Sequence, residues 1–190
     1  CGSGQAALTM IIMTLCATGD DYIAATRAFG GSIGLMKRLD TRYKVGARWA
    51  DPFDVDSIEA AIGPNTKGIF VESIVNPSGD IIDLAAIGAL ARKHNLPLVV
   101  DNTLATPALL RPIEHGADIV WHSASKFFSG SGNAIGGVIV DAGNFNWADP
   151  RFPLIAEPWD DYEGIVLTEA QPRSAFAAAC RLIGLRELGP

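Results

Sequence analysis

The chain has 190 residues, of which 48% are hydrophobic, and its 15 Lys and Arg against 21 Asp and Glu give a net charge of −6. This size fits one large domain with ample apolar material for a core. No run of basic residues is longer than two and no apolar stretch reaches the roughly 18 residues of a membrane span, so neither a nucleic-acid partner nor a membrane partner is expected.

Helices and strands are predicted to alternate along the chain. In chain order, we predict a helix from Ser3 to Thr18, a strand over 21–25, a helix over 29–43, a strand over 45–50, a helix over 54–63, a strand over 67–72, a helix over 83–94, a strand over 96–101, a short helix led by Pro107, strands over 118–122 and 135–141, and a final helix over 172–188. Residues 143–164 are expected to form a long ordered loop. Repeated βα units predict an α/β fold with a mostly parallel, doubly wound sheet.

The cysteines and histidines show no spacing that binds a metal. Cys1, Cys16 and Cys180 also share no disulfide pattern, which predicts a reducing, cytoplasmic setting. No metal site is expected from the three histidines. Because the chain starts at Cys1 and stops at Pro190, we interpret it as an internal fragment.

An acid and a lysine follow neighbouring predicted strands. Asp101 is the last residue of one strand, and Ser123-Ala124-Ser125-Lys126 follows the next. Ligands of open α/β sheets bind beyond the carboxyl ends of the strands, so these groups are expected to share one crevice. An amine, a carboxylate and hydroxyl groups are what pyridoxal 5'-phosphate requires for its aldehyde, its ring nitrogen and its phosphate. From spacing alone, Asp101 could instead cap the next helix and Lys126 could be a solvated surface lysine.

The phosphate side of this crevice is predicted from two segments. Small residues precede and begin the first helix, where the free N–H groups of Gly4 and Gln5 and the helix dipole favour an anion. Ser123 and Ser125 are two residues apart in an extended segment and therefore face the same side. A start of this kind is more often a plain helix cap, and the order of these segments relative to Asp101 and Lys126 is the stronger signal.

Several segments together resemble a known family. Five segments of the chain resemble, in order and spacing, the signature blocks of the Cys/Met-metabolism pyridoxal-phosphate enzymes. They are Ser3–Ala7, Phe29–Ser32, Glu72–Pro77, Val100–Pro107 and His122–Phe127. The O-acetylhomoserine sulfhydrylase branch is similar at Gln5, Gly143–Pro158 and Leu185–Gly189. The resemblance implies an aspartate-aminotransferase-like (fold type I) large domain that binds pyridoxal phosphate over 1–190, without the family's N-terminal arm and C-terminal domain.

The resemblance also implies roles for single residues. Lys126 is expected to form the Schiff base with the cofactor and to move protons at the substrate's α and β carbons, while Asp101 pairs with the pyridine nitrogen. The other expected cofactor contacts are Asn76 at the ring hydroxyl, Phe29 on the ring face, and Gly4, Gln5, Ser123 and Ser125 at the phosphate. Phe29, Ser125 and Ser131 stand where the family usually has Tyr, Thr and His. The missing phenol at Phe29 bears on proton transfer during elimination.

The implied reaction is γ-replacement on O-acetyl-L-homoserine by sulfide or a thiol, giving homocysteine or methionine. A methionine or cystathionine γ-lyase or a cystathionine γ-synthase would use the same residues, in a homo-oligomer, typically a homotetramer, whose active sites are shared between subunits. Two alternatives belong to other classes. Gly2-x-Gly4-x-x-Ala7 formally matches a dinucleotide-binding fingerprint, although Asp20 and Asp21 begin the next strand instead of ending it. The second alternative is an oligomerisation or binding domain that has lost its catalytic activity.

Overall fold

A computed structural model describes residues 1–189. The strands in this range are β1 (Asp21–Ala25), β2 (Gly46–Ala50), β3 (Thr66–Glu72), β4 (Leu98–Asp101), β5 (Ile119–Ser123) and β6 (Gly137–Asp141). They form one sheet in the order β2-β1-β3-β4-β5-β6. All pairings are parallel except that of β5 with β6, which is antiparallel and lies at the edge. The predicted α/β fold with a mostly parallel sheet is confirmed.

Helices precede the first strand, connect the parallel strands and follow the last strand. They are α1 (Gly4–Leu15), α2 (Gly30–Tyr43), α3 (Val55–Ala61), α4 (Leu84–Lys93), α5 (Thr106–Leu109), α6 (Pro153–Ala156), α7 (Leu167–Ala170) and α8 (Ala175–Arg181). Ser3, Asp54 and Asp83 cap α1, α3 and α4 because each side chain accepts a backbone N–H from the first turn. In the described part of the chain, every helix is too short or too polar to cross a membrane.

Apolar clusters on both faces of the sheet hold the helices in place. On one face, α1 packs against the rings of Tyr22, Phe70 and Trp121. On the other face, α4 packs against alternate residues of the same strands, among them Ile69 and Val120. Alternation along each strand sends neighbouring side chains into opposite clusters, so the sheet is doubly wound.

Several predicted boundaries were wrong. Helix α1 ends at Leu15, because Cys16 is already extended and Gly19 turns the chain with φ +96° into β1. The last strand begins at Gly137, two residues later than predicted. The predicted final helix over 172–188 begins only at Ala175, as α8, and continues as a π-helical segment, Leu182–Glu187.

The segment 143–164 is not a plain loop, because it contains α6 and a 3₁₀ turn, Asp160–Tyr162. Two of its aromatic residues are buried: Trp147 is 3% exposed and Phe152 is 1% exposed. Trp147 stacks on Phe176 of α8 with ring centroids 5.0 Å apart. These contacts fix the segment and α8 against the face of the sheet that α1 covers.

Candidate active site

A cavity of about 660 Å³ lies beyond the carboxyl ends of β3, β4 and β5. The residues predicted to bind the cofactor all line it: Gly4, Gln5, Phe29, Asn76, Asp101, Ser123, Ser125 and Lys126. Its volume is within the range of about 300–1,000 Å³ that is typical of small-molecule sites. The structure therefore brings the predicted residues together, and their individual roles stay predictions.

One end of the cavity is formed where the amino end of α1 meets the end of β5. A Cβ added to Gly4 would lie 2.7 Å from the Cβ of Ser123, so only glycine allows this approach. Ser3 Oγ accepts the N–H of Ala6 at 3.0 Å, while the N–H groups of Gly4 and Gln5 have no acceptor within residues 1–189. Free N–H groups at the positive end of a helix dipole form an anion site.

The prediction that Ser123 and Ser125 share one extended segment was wrong, because the chain turns after Ser123. Ser123 is the last residue of β5, and its N–H donates to Thr103 Oγ1 at 2.8 Å. Ser125 lies in the following turn, where its Oγ accepts the N–H of Gly136 at 3.1 Å. Its hydroxyl also donates to the backbone oxygen of Gly136 at 3.4 Å, a long contact that a ligand oxygen can replace. Ser125 thus also closes the connection to β6.

Asp101 lies at the end of β4 with one carboxylate oxygen bound and one free. Oδ1 accepts both the N–H of Thr103 at 2.9 Å and its Oγ1–H at 2.5 Å. Oδ2 receives no hydrogen bond from the described residues. Burial raises the pKa of Asp101 to about 6, against the lowering effect of the Thr103 bonds. Asp101 therefore caps a local turn and still offers Oδ2 to a cationic group in the cavity.

Glu72 is a second buried carboxylate in the same wall. It pairs in register with Asp101 and is 5% exposed. Oε1 accepts the N–H of Phe29 at 2.6 Å, and Oε2 accepts the N–H of Asn76 at 2.8 Å. Burial raises the pKa of Glu72 to about 7, the two N–H groups lower it, and the nearby Asp101 raises it. Glu72 thereby fixes the backbone of two predicted cofactor contacts.

Phe29 and Lys126 present their side chains to the cavity from exposed segments. Phe29 precedes the first residue of α2 and is 44% exposed, which leaves its ring available to a planar ligand. Lys126 lies in the turn after β5 and is exposed. The ring of Phe128 packs edge-on against His122 at 4.9 Å and anchors that turn to β5.

The lining residues that were not predicted include Glu72, Thr103 and Trp121. Glu72 ends an apolar strand as Asp101 does, and this position was a usable signal. Thr103 follows Asp101 in an Asp-x-Thr sequence, which favours a side-chain turn but does not indicate a contact with β5. Only the alternation of β5 could have indicated the side on which Trp121 lies.

Asp20 and Asp21, the acids of the dinucleotide-binding alternative, lie at the amino end of β1, away from the cavity at the carboxyl ends of the strands. Asp21 begins β1 and pairs with Arg48 at 2.8 Å, while Asp20 pairs with Lys67 at 3.3 Å. A ribose-binding acid would instead follow a strand end near the cavity. Within residues 1–189, no three His, Cys, Asp or Glu side chains cluster in a way that could hold a metal ion.

Comparisons with known proteins agree with this geometry. The family described as Cys/Met metabolism PLP-dependent enzyme matches residues 1–177. Homocysteine synthase of Schizosaccharomyces pombe is 42% identical over 190 residues, which cover 98% of this chain and 44% of that protein. O-acetyl-L-homoserine sulfhydrylase of Corynebacterium glutamicum is 37% identical over 193 residues, which cover 98% of this chain and 44% of that protein. The chain thus spans less than half the length of these relatives.

Solved structures show the same fold. A protein assigned as an O-acetylhomoserine (thiol)-lyase from Campylobacter jejuni, with a pyridoxyl-lysine phosphate, is 34% identical with a TM-score of 0.91. The match covers 99% of this chain and 47% of that one. An O-acetylhomoserine sulfhydrylase of Wolinella succinogenes is 32% identical with a TM-score of 0.84, covering 100% of this chain and 50% of that one.

Proposed function

The chain belongs to the Cys/Met metabolism PLP-dependent enzyme family, and from this membership we propose that it forms the large PLP-binding domain of an O-acetylhomoserine sulfhydrylase. The enzyme would form a C–S bond at the γ carbon of O-acetyl-L-homoserine and release acetate, giving homocysteine from sulfide or methionine from methanethiol. The names of the relatives from S. pombe and C. glutamicum support this substrate class. The observation that carries the proposal is the convergence of Lys126, Asp101 and the anion site at α1 on one cavity.

The residues of the cavity fit pyridoxal phosphate. The N–H groups of Gly4 and Gln5 and the hydroxyl groups of Ser123 and Ser125 suit a phosphate. The free Oδ2 of Asp101 suits a protonated ring nitrogen. When bound, the cofactor supplies an electron-accepting ring that stabilises negative charge on the substrate carbons. The family relation and this donor set support the same cofactor.

The side chains divide the work between holding the cofactor and moving protons. Lys126 Nζ would hold the aldehyde carbon until the substrate's amine displaces it. The freed Nζ would then take the proton from the substrate's α carbon and assist proton removal at the β carbon. Asp101 Oδ2 would keep a proton on the ring nitrogen. Phe29 would cover one face of the ring and the amide of Asn76 would bind the ring hydroxyl, both held by Glu72.

The proposal includes a homo-oligomer in the cytoplasm, with two subunits contributing to each site. Phe127 and Ile135 line the cavity and are 65% and 80% exposed, which is apolar surface typical of an interface. Cys16 and Cys180 are buried free thiols, as in a reducing compartment.

The first experiment locates the cofactor in the full-length protein. Bound pyridoxal phosphate should give a visible absorption band that borohydride abolishes, and peptide mass spectrometry should then find the label on Lys126. Lys93→Ala, at an exposed lysine that pairs with Glu59, is the matched control and should label like the wild type. Label on Lys67 or Lys93, with none on Lys126, would contradict the proposal.

A second experiment separates the sulfhydrylase from its relatives. With O-acetyl-L-homoserine and sulfide, the enzyme should form homocysteine and acetate in equal amounts. Without a thiol, a γ-lyase would release ammonia and α-ketobutyrate at a comparable rate, and with cysteine a cystathionine γ-synthase would form cystathionine. If the release of α-ketobutyrate or the formation of cystathionine were faster than the formation of homocysteine, the proposed activity would be wrong.

A further inference from the structure

Thr103 connects the acid end of the cavity with its phosphate end. Its Oγ1 donates to Asp101 Oδ1 and accepts the N–H of Ser123 at 2.8 Å. Its own N–H donates to the same Asp101 oxygen at 2.9 Å. One oxygen atom of Thr103 therefore joins the ends of the adjacent strands β4 and β5.

Each of these contacts orients a group of the cavity. Because Thr103 occupies Oδ1, the other carboxylate oxygen of Asp101 remains for a ligand. Because Ser123 N–H is bound, the residue that touches Gly4 at the amino end of α1 cannot rotate freely. The hydroxyl of Thr103 thus adds a side-chain link between the acid and the anion site to the backbone pairing of β4 with β5.

We propose that Thr103 is a positioning residue for the cofactor, which sets the separation between the acid at the ring nitrogen and the backbone at the phosphate. Thr103 acts through Asp101 and Ser123. This inference rests on the proposed function, since it requires that pyridoxal phosphate occupies the cavity.

The hydroxyl of Thr103 also acts on the charge of Asp101. Burial raises the pKa of Asp101 to about 6, and the bonds from Thr103 oppose that rise. Loss of the hydroxyl should raise this pKa further in the cofactor-free protein. A neutral acid cannot pair with a cationic ring nitrogen, so cofactor affinity should fall as pH decreases through the pKa of Asp101.

The test compares isosteric variants of the full-length protein. Thr103→Val removes the hydroxyl and keeps the shape, while Thr103→Ser keeps the hydroxyl. Ser73→Ala is the control, because Ser73 Oγ donates to Asn102 Oδ1 at 2.8 Å and makes no bond to the carboxylate of Asp101. Ser73 bonds Asp101 only through its backbone N–H, at the backbone oxygen of Asp101, and alanine keeps that bond. Pyridoxal phosphate is titrated into each cofactor-free protein between about pH 5 and pH 8, and its dissociation constant is plotted against pH.

The acid limb of this plot is the low-pH range in which protonation of Asp101 weakens binding. In Thr103→Val, we expect the dissociation constant at pH values above the acid limb to rise roughly tenfold. The acid limb of the plot should move up by about one pH unit. Thr103→Ser should stay within about twofold of the wild type with an unmoved limb, and Ser73→Ala should keep the wild-type limb. A purely structural role for Thr103 would weaken binding equally at every pH and leave the limb in place.

The other titratable groups near Asp101 are common to all variants. Glu72 on β3 and Lys126 beyond β5 line the same cavity, and His122 on β5 bonds the backbone oxygen of Asn102. These groups are present in every variant, so differences between variants report Thr103.

Thr103→Val with a wild-type limb, or Thr103→Ser with a shifted one, would overturn the inference. If Thr103→Val does not fold, Thr103→Cys replaces it, because a thiol is a weaker donor, and a wild-type limb there would be equally fatal. Failure of the wild-type protein to bind pyridoxal phosphate would instead refute the proposed function itself, and this inference with it.

Discussion

Replacing Gly4 with alanine should open the anion site, because the new Cβ would lie 2.7 Å from the Cβ and 2.8 Å from the Cα of Ser123. Carbon atoms normally pack at about 3.5–4.0 Å, so the two segments must separate by about 1 Å. Overpacking of this kind costs about 1–3 kcal/mol, and the better helix propensity of alanine returns about 0.5–1 kcal/mol. The net loss of unfolding free energy should therefore be at most about 2.5 kcal/mol.

The same displacement should weaken cofactor binding. Moving the N–H donors of α1 by about 1 Å weakens charge-assisted hydrogen bonds worth about 1.5–3 kcal/mol each, so the dissociation constant should rise at least about tenfold. Urea unfolding and titration of the cofactor-free full-length protein measure both effects. Gly2→Ala is the control, because no atom lies within 4 Å of its added Cβ. Equal behaviour of the two variants would refute the close approach of α1 to β5.

Three other predictions concern the ring end of the cavity. Asp101→Asn should fold normally, since its amide oxygen still accepts from Thr103, but its turnover number should fall about 10²-fold or more; near wild-type turnover would remove the acid from the mechanism. Phe29→Ala should weaken cofactor affinity by several-fold to about tenfold, and unchanged affinity in this variant would exclude ring stacking. Phe29→Tyr should keep the wild-type affinity and should release α-ketobutyrate faster in the absence of a thiol. Glu72, whose pKa is raised to about 7, binds a proton more tightly in the folded state than in the unfolded state. The unfolding free energy of the cofactor-free protein should therefore fall by at most about 3 kcal/mol as pH rises from about 4.5 to 7. Urea unfolding at both ends of that range should show a smaller fall in Glu72→Gln, and equal falls would contradict the burial argument.

The sequence was sufficient to place the strand ends and the groups beyond them. The apolar runs before Asp101 and Ser123 are buried strands, and parallel strands necessarily bring their carboxyl ends to one edge. Capping side chains such as Ser3 and Asp83 gave correct helix starts because a cap is a local interaction.

The remaining features depend on contacts between distant segments. Gly137 must lie against the backbone oxygen of Ser3, where a Cβ would be only 2.0 Å away, and this contact sets the start of β6. Trp147 and Phe152 are buried because α8 returns to cover them. Glu72 and Thr103 act on the backbone of other segments, which no local spacing reports.

The contact between Gly4 and Ser123 joins two segments that are made at very different times during translation. Helix α1 leaves the ribosome long before β5 and β6, and the backbone bond between Gly137 N–H and Cys1 oxygen closes the same long loop. The entropy of closing such a loop must be overcome before the anion site exists, so the site forms late in folding. A cofactor that binds only the finished site therefore stabilises the completed fold, and its shortage would lower the population of folded protein.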